Sequence, residues 1–144
     1  MKIDEKLSAE YDIDNIAGRL SLRKPQKVSL ERLAAICNAI NPSKNSDLAT
    51  GIESVHSLYP TCTDFERTFP SVTFALATGV GKTRLMGAFI TYLYTQRGIK
   101  NYFIVAPGKT VYDKLKDDFS NPGNPKYVFR GLGCFAGDRK STRL

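Results

Sequence analysis

The residues of this chain that could do chemistry cluster in one octet, L-A-T-G-V-G-K-T, from Leu76 to Thr83. An apolar run leads into it (Val72, Phe74, Ala75, Leu76), and a helical pattern leads out of it (Leu85, Met86, Phe89, Ile90, Leu93). Glycine at 79 and 81 lets backbone N–H groups close around an anion. A helix starting there turns its positive end toward the same point. This is the context in which G-K-T binds nucleotide phosphates. Thr78, Gly79, Val80, Gly81, Lys82 and Thr83 then cradle a triphosphate. Lys82 reaches its β- and γ-phosphates and serves the transfer chemistry, and the Thr83 hydroxyl holds Mg²⁺. A nucleoside triphosphate and Mg²⁺ are the expected ligands. The general pattern G-x-x-x-x-G-K-[ST] would put its first glycine at position 76, where this chain has Leu76.

The elements that must position the octet follow from periodicity. Ser71–Ala77 and Asn101–Ala106 (N-Y-F-I-V-A) are apolar runs of strand length, and Tyr127–Phe129 begins a third. Ile13, Ile16 and Leu20 mark a short helix. Ser29 is placed to cap a helix carrying Leu30, Leu33, Ala34, Cys37 and Ile40, which Asn41-Pro42 stops. Asp47–Leu58 reads as another. Thr83–Arg97 is a longer helix ended by Gly98, and Thr110 caps one carrying Val111, Leu115 and Phe119. Alternating strand and helix predicts a parallel α/β sheet with right-handed crossovers, the loop at the carboxyl end of its strand.

Composition sets limits. A chain of 144 residues, 42% hydrophobic and 24% charged, is one globular domain or part of one. No apolar run approaches the roughly 20 residues of a membrane span, and Met1–Lys6 has no secretory h-region. A cytoplasmic protein without membrane contact is expected. Cys37, Cys62 and Cys134 form no C-x-x-C pair, which points to reduced thiols rather than a zinc or disulfide framework. His56 stands alone. The net charge is +7, but the last seven residues, D-R-K-S-T-R-L, contribute +2 of it and leave +5. That heptapeptide is what a widely used short-read sequencing adapter encodes. The gene's own frame is therefore expected to leave this sequence near Gly137, with 138–144 an artefact.

Three segments carry a family resemblance. L-R-K-P-Q, whose Gln26 stands 56 positions before Lys82, is similar to the adenine-reading glutamine motif of superfamily 2 ATPases. L-A-T-G-V-G-K-T is similar to their motif I, and V-A-P-G-K-T-V-Y-D-K-L (Val105–Leu115) to their motif Ia. From Leu22 to Phe135 the chain resembles DEAD/DEAH-type helicase-like proteins related to the Res subunit of type III restriction enzymes. The resemblance implies a partial RecA-like P-loop NTPase lobe, with parallel strands and flanking helices after a short helical N-terminal region. It implies that Gln26 hydrogen-bonds the adenine edge, and that Lys109 and Thr110 grip nucleic-acid phosphates. It implies an ATP-dependent DNA translocase or helicase of a restriction or defence system, which tracks a single strand or translocates a duplex. It implies a modification or specificity subunit as partner and a restriction-endonuclease role for the parent.

The same resemblance shows what the sequence does not contain. Hydrolysis needs an acid on a neighbouring strand to hold Mg²⁺ and a group to position water. In this family both sit in D-E-x-x. No glutamate follows Glu66, and Asp113, Asp117, Asp118 and Asp138 do not follow an apolar strand. The expected organisation is a polar N-terminal extension (1–21), an incomplete N-terminal helicase ATP-binding lobe (22–137), and the adapter-encoded tail (138–144). Such a chain binds nucleotide without turning it over, and its unfinished core favours aggregation. The alternatives are a stand-alone P-loop nucleotide-binding module or small kinase, and a non-enzymatic interaction module.

Overall fold

The computed structural model describes residues 3–40 and 47–135. They hold six helices: α1 (Glu5–Glu10), α2 (Ile13–Arg19), α3 (Lys24–Ala39), α4 (Leu48–Leu58), α5 (Lys82–Arg97) and α6 (Lys109–Ser120). Two compact units emerge. One joins the described residues up to Leu30 with those from Thr78 onward; the other is Glu31–Ala77.

The expected parallel sheet of a RecA-like lobe is absent: among the described residues there is no strand. A strand exists only as a member of a hydrogen-bonded ladder. Neither Ser71–Ala77 nor Asn101–Ala106 belongs to one, and Tyr127–Phe129 lies among turns. In Asn101–Ala106 exposure alternates residue by residue, as in an extended chain, and Phe103 is 92% exposed. Apolar composition encodes local extension, whereas pairing depends on a neighbour that composition cannot specify.

In the first unit α5 is the axis, and α1 and α2 lie against it. At its C-terminal end Gln96 Nε2 donates to the carbonyls of Ser8 (2.6 Å) and Tyr11 (2.7 Å), while Gln96 Oε1 accepts from Ser8 Oγ at 2.8 Å. At its N-terminal end Arg84 Nη1 donates to the Leu20 carbonyl at 2.8 Å. The segment preceding Leu22 is thus fastened to both ends of α5. Leu85, Ala88 and Tyr92 are buried on the helix. The buried Thr91 and Thr95 satisfy their hydroxyls on the carbonyls of Gly87 and Thr91, each at 2.8 Å. Gly98, at φ 66°, ends α5 as its position in the sequence predicts. Leu115 and Phe119 of α6 pack with Val128 and Phe129 into a second apolar cluster, which Met86 and Ile90 of α5 join. The N-P-G-N-P breaker after α6 is held by carboxylates. Asp117 accepts from Asn121 and Asn124, and the buried Asp118 accepts from Asn124 and Lys114.

In the second unit Asp47 caps α4. Its carboxylate accepts from the N–H groups of Ala49 and Thr50 and from the Thr50 hydroxyl. The Thr50 bonds hold that carboxyl below its ordinary range. Ile36, Ile40, Val55 and Phe65 form the core of this unit.

Here two helices differ from expectation, α1 and α3. α1 carries too weak an apolar period to read. α3 opens at Lys24, with Pro25 in its first turn where the missing N–H costs nothing. Ser29 is therefore interior, and its hydroxyl donates to the Pro25 carbonyl at 2.9 Å. The expected stop at Asn41-Pro42 and the tail 138–144 lie outside the described residues. No described helix is long and apolar enough to cross a membrane.

The turn from α2 to α3 stores local strain. Leu22 N donates to the Ala17 carbonyl (2.9 Å) and Ser21 N to the Gly18 carbonyl (3.1 Å), a Schellman closure. It places Ser21, which has a Cβ, at φ 50°. Ser21→Gly is expected to raise the unfolding free energy by about 1 kcal/mol, since an L side chain pays roughly that to enter the left-handed region. A thermal melt showing an unchanged or lower midpoint would contradict this.

Candidate functional site

The octet folds as a turn at Thr78–Gly79 that feeds directly into α5. Gly79 sits at φ 81° and Gly81 at φ 90°, both in the left-handed region where glycine carries no Cβ penalty. Gly81 is the N-cap of α5 and Lys82 its first residue. No side chain caps this end, so the first-turn N–H groups have no side-chain acceptor. Lys82 is exposed and Thr83 half-buried. None of the ion pairs among the described residues involves Lys82, so no carboxylate neutralises it there. A turn with two left-handed glycines, an uncapped helix start and an unpaired ammonium is a donor set suited to a phosphate chain.

The loop is braced from one side by residues 20–26. Arg23 Nη2 donates to the Gly79 carbonyl at 2.7 Å. Gln26 Nε2 donates to the Gly81 carbonyl at 3.0 Å, and Gln26 Oε1 accepts from Arg23 N at 2.8 Å. The Gly81 carbonyl also accepts Leu85 N at 3.2 Å, the first helical bond of α5. Arg84, one residue past the octet, ties the same end to Leu20. The structure places Gln26 against the loop, where its amide meets the protein backbone. In the sequence reading Arg84 only solvates the helix start, and Arg23 escaped that reading. Arg23 was within reach of it, since it stands three residues before Gln26 in L-R-K-P-Q and shares the approach of α3 to the loop.

Lys109 and Thr110 are exposed at the start of α6. Thr110 is not the cap. Gly108, at φ 85°, holds that position, and Lys109 is the first helical residue. A glycine in the left-handed region closes the turn by backbone alone, so the threonine hydroxyl is not needed. No hydrogen bond joins these residues to the octet among the described residues. In K-Y-V-F-R (Lys126–Arg130) Val128 and Phe129 are buried while Lys126 and Arg130 are exposed, and Phe129 meets Phe119 and Tyr127 edge-on, each at 5.7 Å. No group of three or more potential metal ligands occurs among the described residues. Cys134 is a free thiol that burial pushes up to about 11, which leaves it protonated near neutrality.

A family model described as type III restriction enzyme, res subunit, matches residues 19–142. Among curated proteins the chain is similar to one from Haemophilus influenzae named "Probable type III restriction-modification enzyme HindVIP Res subunit", at 34% identity over 56 residues. That alignment covers 39% of this chain and 11% of the relative, so the chain stands against a small part of that protein's length. No solved structure matches.

The geometry makes Gly81 the least replaceable position in the octet. A Cβ there would lie 2.5 Å from Gln26 Nε2, whereas one at Gly79 would meet nothing within 4 Å. Gly81→Ala is expected to cost about 2 kcal/mol or more, combining left-handed strain with loss of the Gln26 bond, and Gly79→Ala about 1 kcal/mol. Chemical denaturation of the two variants checks the order, and equal losses would contradict it.

Proposed function

The chain belongs to the family of the type III restriction enzyme Res subunit, and on that premise we propose that it forms the nucleotide-binding part of an ATP-driven DNA translocase or helicase of a restriction system. The observation that carries the proposal is the loop itself. Thr78–Thr83 presents two left-handed glycines, an uncapped helix start and an exposed Lys82 that no described carboxylate pairs with.

Bound ATP with Mg²⁺ supplies a phosphoanhydride whose cleavage drives movement along DNA. The residues of this chain prepare for it. Gly79 and Gly81 hold the turn in the left-handed region, and the N–H groups opening α5 would receive the phosphates at the positive end of the helix. Lys82 adds a mobile positive charge for the terminal phosphates, and Thr83 offers its hydroxyl to the metal. Lys109 and Thr110, exposed on α6, are proposed to touch the nucleic-acid backbone. No D-E-x-x acid follows in this sequence, so the 1–144 chain is proposed to hold nucleotide without appreciable turnover.

Titration of the 1–144 chain with a fluorescent ATP analogue tests this. Binding is expected to be Mg²⁺-dependent and about tenfold weaker in Lys82→Ala, as loss of a charge-assisted contact implies. Unchanged affinity in that variant, or multiple-turnover hydrolysis by the native chain, would overturn the proposal. For the nucleic-acid role, Lys109→Ala should weaken single-stranded DNA binding and lower the salt-dependence slope by about one. An unaltered slope removes Lys109 from that role.

A further inference from the structure

Arg84 follows the octet directly and is the third residue of α5. Its backbone N–H belongs to the uncapped first turn, because the first helical bond of α5 runs from Leu85 N to the Gly81 carbonyl. Its side chain reaches α2, where Nη1 donates to the Leu20 carbonyl at 2.8 Å. Leu20 is the C-cap of α2 and is buried. The turn after it is closed by its own bonds, from Ser21 N to the Gly18 carbonyl and from Leu22 N to the Ala17 carbonyl. Those bonds make the Leu20 carbonyl a fixed point. Losing Arg84 would take from a buried residue's carbonyl the bond it accepts from α5.

A guanidinium beside a phosphate loop has two uses. It can pair with a phosphate, or it can hold the backbone that does. Here it is engaged with the end of another helix, which is the second use. We infer that Arg84 is a positioning residue of the phosphate loop: anchored on Leu20, it sets the direction in which the first turn of α5 leaves the octet. The N–H groups of Thr83 and Arg84 and the Thr83 hydroxyl then take their aim from α2. The inference rests on the nucleotide-binding reading above and deepens it by adding α2 to the support of that site. The far end of α5 supplies a comparison. There Gln96 donates to the carbonyls of Ser8 and Tyr11, so it too ties the helix to the N-terminal residues. Gln96 lies twelve residues beyond Arg84, which is about 18 Å along a helix. Both links steady α5, but only the Arg84 link acts on the turn that would meet phosphate.

The test compares the 1–144 chain with its Arg84→Met and Gln96→Leu variants, by thermal melting and by titration with fluorescent analogues of Mg·ATP and Mg·ADP. Both variants should melt below the native chain, since each loses bonds to backbone carbonyls. Arg84→Met keeps most of the stem and loses the donors. It should weaken ATP and ADP alike by about fivefold, roughly what one such bond is worth. Gln96→Leu should bind both nucleotides within about twofold of the native chain, because its loss falls far from the loop. A role in general stability alone would not separate the two variants. Affinities of Arg84→Met within about twofold of native overturn the inference. A loss for ATP that spares ADP overturns it too, by putting the guanidinium on the terminal phosphate. An equal loss in Gln96→Leu also overturns it, since affinity would then follow stability. If either variant fails to fold, amide exchange on the native chain decides. Mg·ATP should slow exchange at Leu20–Leu22, the turn to which Arg84 ties the loop, and unaltered exchange there overturns the inference. Failure of the native chain to bind either nucleotide overturns the nucleotide-binding reading itself.

Discussion

The first unit depends on one doubly bonded carbonyl. Gly81 O accepts the first helical N–H of α5 and the amide of Gln26 at once. The backbone must enter the left-handed region to present it that way, and glycine makes the entry inexpensive. Everything proposed for the loop follows from that geometry. α5 starts immediately after the turn, so its first N–H groups and Lys82 stand at the rim without a competing cap. A side chain at position 81 would disturb the fold and the candidate site together.

The bracing extends beyond the octet. α1 and α2 are linked to α5 near both of its ends, by Gln96 to Ser8 and Tyr11 and by Arg84 to Leu20. From Leu20 the chain passes through the strained Ser21 turn to Arg23 and Gln26, which reach the loop. The N-terminal residues thus act as a splint along α5. Side chains with several donors and acceptors make most of these links to backbone carbonyls. That favours direction over strength, because each such bond is worth only about 1 kcal/mol net but accepts a narrow range of angles.

Parts of this arrangement were legible in the sequence for identifiable reasons. Gly79 and Gly81 could be read because a left-handed backbone demands their type. Gly98 and Asp47 were legible as helix ends because capping is local chemistry. The bonds of Gln26 to the backbone at Arg23 and Gly81 were not legible, because they depend on where α3 begins. The apolar runs Ser71–Ala77 and Asn101–Ala106 misled, since local composition encodes an extended, apolar segment and not the neighbour that would make it a strand. The contact of Arg84 with Leu20 was hidden because a guanidinium reaching a carbonyl more than sixty residues away leaves no local pattern.

Hydrogen–deuterium exchange with and without Mg·ATP tests the central claim, that the backbone N–H groups from Thr78 to Leu85 are the receptor for a triphosphate. The account predicts slowed exchange centred on that stretch, with smaller slowing at Arg23–Gln26 through the bonds that brace it, and little change along α4. Exchange that is unaltered across Thr78–Leu85, at nucleotide concentrations that protect other parts of the chain, would contradict it.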